Sequence, residues 1–166
     1  MSNRLAIGLQ RLTDIDLDAA NAVIEAAIMT WTLPQRVKRL SLPSYRYTPH
    51  DLAHLRLIGA KDPDGTLVGV AAWEPASPEE TPPGTRGLLL HGIYVAPERH
   101  GEGIGSRLLD AALRAARETG ADGLLVKASP DAQGFFRARG LRRLTRGHPA
   151  RDYPHRYWMD VADGEG

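Results

Sequence analysis

Apolar residues recur along this chain with two periods, and the switches between them mark its elements. Leu5 to Leu9 alternates weakly and predicts a short strand. Ile15, Ala19, Val23, Ala27 and Ile28 then recur at helical spacing, with Thr13 or Asp14 placed to cap the first N–H groups. Pro34, Pro43 and Pro49 break the next stretch into short pieces. Arg36 to Leu42 is one candidate helix among them, and TPHDLAHL begins a turn or a strand. LRLIGAKDPDGTLVGVAAWEP predicts a hairpin, because two strand-like runs flank DPDG, where Pro63 presets a turn and Gly65 supplies positive φ. The Pro-rich ASPEETPPGTRG is a loop. LLLHGIYVAP is nearly all apolar, as a central strand must be.

A longer helix follows from Gly103 to Thr119. Ile104, Leu108, Ala112 and Ala115 line one face with Leu109 and Ala116, and Gly120 suits the position that ends it. LLVKAS predicts a strand, DAQGFFRARG a short helix with Asp131 near its start, and RYWMDV a final strand. The predicted class is α/β with a mixed sheet flanked by helices. The strand–loop–helix–strand from Val95 to Ser129 should be parallel, since its crossover is a helix.

Composition narrows the function classes. The chain has 166 residues, 42% of them hydrophobic and 25% charged, which suits one globular domain over 1–166. A net charge of +1 gives no reason to expect nucleic acid or a membrane surface as partner. Runs such as Val68 to Trp73 are strand-length, far short of a membrane span. The first residues lack the apolar core of a secretory signal, so a cytoplasmic protein is expected. The absence of cysteine removes disulfides, thiolate nucleophiles and Cys–zinc sites, and no metal is expected.

The candidate chemistry lies in HGEGIGS. A helix begins with N–H groups that have no intrahelical partner, and its dipole adds partial positive charge there. Gly101, Gly103 and Gly105 let the backbone turn such groups toward an anion, so this loop is expected to cradle phosphate. It does not fit the dinucleotide fingerprint, whose third glycine comes one residue later, where Ser106 stands. It does not fit the P-loop either, since no Lys follows.

IYVAPERHGEGIGSRLL resembles the acetyl-CoA motif of the GNAT acetyltransferase superfamily, V-x-P-x-x-[RQ]-G-x-G-[IL]-[GA] followed by a helix. Val95, Pro97, Glu98, Gly101, Gly103, Ile104 and Gly105 fall on it, and His100 stands where Arg or Gln is usual. Downstream, ASPDAQGFFRARGL resembles the second motif of the family at Ala132, Phe135 and Gly140, with Ser129 for the usual Asn, Phe136 for Tyr and Leu141 for Phe.

The resemblance implies acetyl-CoA as co-substrate. Its pantetheine arm would pair with the backbone of Ile93, Tyr94 and Val95. His100, Gly101, Glu102, Gly103, Ile104, Gly105 and Ser106 would hold the phosphates, and Ser129 and Phe136 would complete the cofactor contacts. It implies transfer of the acetyl group to a small-molecule amine by direct attack in a ternary complex. A homodimer is compatible with the resemblance.

His91 shares a strand face with Leu89, Ile93 and Val95. In the family that face lines the cleft, so His91 is the candidate base; a core histidine bonded to backbone is the alternative. Glu74 is the second candidate. Phe136 lacks the hydroxyl that protonates the departing thiolate in family members, which leaves water, Tyr153, His155 or Tyr157 as donors. Trp31, Tyr45, Arg46 and Tyr47 would form one acceptor wall or pack as an ordinary lid. Arg107, Arg114 and Arg117 are expected on a solvated helix face, with Arg107 near a phosphate. Two other classes are a CoA-binding regulatory module without chemistry and, more distantly, a nucleotide-dependent oxidoreductase.

Overall fold

The computed structural model describes residues 6–145 and 153–162. In chain order its elements are β1 (Gly8–Arg11), α1 (Leu17–Ile28), α2 (Gln35–Tyr45), β2 (Arg56–Lys61), β3 (Leu67–Pro75), β4 (Gly87–Val95), α3 (Ile104–Glu118), β5 (Gly123–Lys127), α4 (Gln133–Ala138), β6 (Arg142–Arg143) and β7 (Arg156–Asp160). The strands form one seven-stranded mixed sheet in the order β1-β2-β3-β4-β5-β7-β6, so the apolar β4 is central, as expected. β4 and β5 run parallel, Leu88 opposite Leu124, across the α3 crossover, while β7 runs antiparallel to both β5 and β6. No helix among the described residues is long and apolar enough to cross a membrane.

Contacts divide the chain into two compact units, Met1–Ala72 with Ile93–Leu108, and Trp73–Gly92 with Leu109–Gly166. In the first unit α1 lays Leu17, Ala20, Ile24, Ala27 and Ile28 against Leu57, Val70, Ala72 and Tyr94. Of the expected helical face, Val23, Ala27 and Ile28 are buried, but its first two members are not. Ile15 is 87% exposed and Ala19 is also exposed. A 3₁₀ turn over Asp14–Asp16 precedes α1 and resets the face that its apolar residues present. Thr13 begins that turn, its N–H donating to the Asp16 carboxylate at 2.9 Å.

Pro43 does not break α2 but lies inside it. It sits close to the C-terminal end, so its missing donor costs a single bond of the last turn. TPHDLAHL forms a 3₁₀ turn over Asp51–Ala53, not a strand. The first strand begins at Gly8 rather than Leu5, which lies outside the described residues. The hairpin turn forms as expected: Gly65 has φ +83°, and the Asp62 carboxylate accepts the N–H groups of Asp64 and Thr66 at 3.0 Å each.

β3 is buried on both faces. Val70 and Ala72 meet α1, while a Cβ added at Gly69 would lie 2.8 Å from Ile104 Cγ2 and 3.1 Å from Leu108 Cδ1. Gly69 therefore lets the first turns of α3 lie directly on the strand, which seats the N-terminus of that helix.

In the second unit Trp158 and Tyr157 of β7 are fully buried, and α3 ends at Glu118, with Gly120 two residues on at φ +77°. The sequence pattern passed over β6, whose two residues carry no periodicity.

Candidate functional site

The glycine loop belongs to the first unit. β4 ends at Val95, and the Ala96 N–H donates to the Val68 carbonyl at 2.9 Å. A 3₁₀ turn over Pro97–Arg99 then leads to Gly101 and Gly103, with φ of +84° and +82°. Glu102 between them has no positive φ, so a left-handed glycine stands on either side of it. Gly105 differs from its two neighbours in the pattern, for it lies within α3.

The Gly103 carbonyl accepts the Arg107 N–H at 3.1 Å as the first helical bond. The N–H groups of Ile104, Gly105 and Ser106 thus precede any carbonyl of the helix that could receive them. The Ile104 side chain is buried, which anchors this end.

His100, the departure from the family motif, folds back on the loop with Nε2 3.1 Å from the Val95 carbonyl. Arg99 Nε donates to Glu102 at 2.7 Å and its Nη1 reaches Asp62 at 3.4 Å. The Arg107 guanidinium donates to the Ile7 carbonyl. On β4 the Ile93 and Val95 side chains are half-exposed, whereas Tyr94 points into the core. Burial pushes the Tyr94 hydroxyl far above its ordinary range, with Tyr47 and Tyr45 adding to the effect.

His91 and Glu74 belong to the second unit and meet there. His91 Nε2 lies 2.5 Å from Glu74 Oε2, with side-chain exposures of 33% and 26%. Leu89 and His91 of β4 are both half-exposed, in keeping with the strand face that alternation assigns to them. The partner of His91 is a carboxylate rather than a backbone group, unlike the core-histidine alternative. An ionised carboxylate only accepts. In the neutral ring facing such a carboxylate, Nε2 carries the proton and Nδ1 is the acceptor.

Ser129 caps a 3₁₀ turn over Pro130–Ala132, its carbonyl accepting the Ala132 N–H at 3.0 Å. Phe136 is 2% exposed and packs edge-on to Phe135 with ring centroids 5.2 Å apart. The hydroxyls weighed as proton donors are engaged. Tyr157 donates to Gln133 at 2.8 Å and accepts from Arg137 at 3.1 Å, while Tyr153 donates to the Ala128 carbonyl at 2.7 Å. His155 Nδ1 is buried without a partner among the described residues.

Trp31 and Tyr45 form an edge-on pair at 5.4 Å and lie with Tyr47 against the core of the first unit, while Arg46 is exposed. Tyr47 is tied to α1 by both of its backbone bonds with the Asn21 amide, at 2.9 Å each. Of the helix arginines, Arg114 is exposed, whereas Arg117 has a buried Nη1 without a partner among the described residues, against the expectation of a solvated face. Sequence reading missed Arg99 and Asp62. The three-residue spacing of Arg99 and Glu102 was a signal for one pair, but nothing local pointed to Asp62.

Residues 25–141 match the model of the Acetyltransferase (GNAT) family. The chain belongs to this family. The match begins well before the glycine motif and takes in α2, β2 and β3 as well. This GNAT chain is 33% identical over 87 residues to an L-methionine sulfoximine/L-methionine sulfone acetyltransferase of Pseudomonas aeruginosa, an alignment covering 52% of the chain and 47% of that relative. The chain thus spans about half the length of the curated relatives it matches.

Solved GNAT structures share its fold. PaiA N-acetyltransferase from Thermoplasma acidophilum in complex with coenzyme A superposes with a TM-score of 0.71 at 16% identity, over 93% of this chain and 98% of that one. A GNAT family acetyltransferase from Brucella melitensis in complex with acetyl-CoA gives 0.63 at 20% identity, over 93% and 87%.

Proposed function

We propose that this GNAT chain transfers an acetyl group from acetyl-CoA to the amine of a small molecule by direct attack in a ternary complex. The observation that carries the reading is the glycine loop, with left-handed Gly101 and Gly103 ahead of the seated N-terminus of α3. That arrangement suits a diphosphate. Backbone at Ile93 and Val95 would pair with the pantetheine arm, and an N–H there would face the thioester oxygen as charge develops on it.

His91 is the proposed base. The amine nitrogen attacks the thioester carbon, the C–N bond forms and the C–S bond breaks. His91 Nδ1 takes the proton the amine loses, and Glu74 on Nε2 stabilises the imidazolium that results. The departing thiolate needs no strong acid, because a thiol has a pKa of about 8.5 and water can protonate its thiolate. This accords with Phe136 in place of a tyrosine and with the engagement of the Tyr153 and Tyr157 hydroxyls.

Release of free thiol from acetyl-CoA, followed across a panel of amines, tests the reading. L-Methionine sulfoximine and L-methionine sulfone come first, because a relative is named for them. Amine-dependent thiol release is the expected result. The engaged hydroxyls also favour a second reading, a CoA-binding regulatory module. Tight CoA binding without transfer to any amine would decide for it.

A further inference from the structure

The loop that suits a diphosphate also carries a carboxylate. Glu102 stands between Gly101 and Gly103, two residues ahead of the N–H groups that open α3. An uncompensated carboxylate beside those groups would repel any phosphate approaching them. Arg99 meets it: Nε donates to Glu102 Oε2 at 2.7 Å, and Nη1 of the same guanidinium reaches Asp62 Oδ2 at 3.4 Å.

Asp62 is itself held, since its other oxygen accepts the N–H groups of Asp64 and Thr66 in the β2–β3 turn. A planar fork fixed to a hydrogen-bonded turn makes a brace that a lysine could not reproduce. The braced segment, Arg99 to Glu102, includes Gly101 in left-handed backbone and is followed directly by Gly103, the part of the loop with most conformational freedom to lose.

We propose that Arg99 is a positioning residue for the diphosphate cradle: it neutralises Glu102 and ties the glycine loop to the β2–β3 turn, so that the loop's N–H groups are ordered before the cofactor arrives. This rests on the acetyl-CoA reading above. Its effect falls on cofactor binding and leaves the transfer step alone.

The test titrates CoA into the wild-type chain and the variants Arg99→Ala, Arg99→Lys, Glu102→Gln and Arg99→Ala/Glu102→Gln by calorimetry, with thermal melts to verify folding. Arg99→Ala should weaken CoA by about tenfold or more. It should raise KM for acetyl-CoA with kcat retained, and its deficit should shrink as salt screens the exposed carboxylate. Glu102→Gln keeps the backbone N–H of the loop and removes only the repelling charge, so it should bind CoA more tightly than wild type, and weaker binding would overturn the repulsion assigned to Glu102. The double variant should recover at least about threefold of what Arg99→Ala loses, because the repulsion is gone. Arg99→Lys should fall between wild type and Arg99→Ala, and it carries the test if the alanine variant does not fold.

Wild type and Arg99→Ala binding CoA equally would overturn the role of Arg99 alone. A double variant no better than Arg99→Ala would overturn the neutralisation of Glu102. Absence of CoA binding by the wild type would remove the acetyl-CoA reading itself, and the proposal with it.

Discussion

The glycine loop and the His91–Glu74 pair are built from different material. The loop offers backbone N–H groups, and its geometry comes from φ values of +84° and +82° that side-chain-bearing residues rarely adopt. The pair offers side chains, brought to 2.5 Å by strands β3 and β4 although the residues are 17 apart in the chain. A site made of backbone has few substitutes for glycine, so it leaves a mark in the sequence. A site made of side chains needs only suitable groups in reach, which many sequences supply and only the folded chain reveals.

If the pair is the proton acceptor, the largest effect comes from its ring. His91→Ala should lower kcat/KM by about a hundredfold or more with CoA affinity kept, and the acidic limb of the pH–rate profile should vanish or move. Full activity in a folded variant would remove His91 from the chemistry.

The loop answers to a different measurement. Gly103→Val forces a branched residue into left-handed backbone, and CoA affinity should fall at least about tenfold, near 1.4 kcal/mol, while the fold survives. Unchanged CoA binding would end its assignment as an anion site. The two variants should therefore split cleanly, one losing rate and the other losing binding.

Glu74→Gln sharpens the pair. The amide oxygen still accepts the Nε2 proton and holds the tautomer, but the charge that steadies an imidazolium is gone. kcat should fall about tenfold, less than in His91→Ala. A loss equal to that of His91→Ala would mean that the carboxylate itself takes the proton.

Phe136→Tyr gives the smallest effect on rate. kcat should barely change, because thiolate departure is the easier step. The added hydroxyl enters a buried position, so stability should drop by about 1–3 kcal/mol unless it finds a partner. Stopped-flow turnover and denaturant melts measure both, and a large gain in kcat would show that thiolate departure had been limiting.

Periodicity alone determined much of this protein. The alternation and apolar run of β4, the long stripe of α3 and the DPDG turn each express a local rule that tertiary contacts reinforce, and the structure has each where the pattern put it. The motif of alternating glycines likewise announced the family, since a left-handed backbone cannot be disguised. Local rules failed where two preferences competed. Ile15 lost its place in the helical face to a 3₁₀ turn, Pro43 was absorbed near a helix end, and β6 was too short to show a period.

Only the tertiary structure decided who meets whom. It brought Glu74 to His91, Asp62 to Arg99 and Gln133 to the Tyr157 hydroxyl. Each of these bonds joins residues well separated along the chain. The strand register and helix packing that bring them together rest on burial of apolar neighbours, while the β2–β3 turn is held by the Asp62 carboxylate itself.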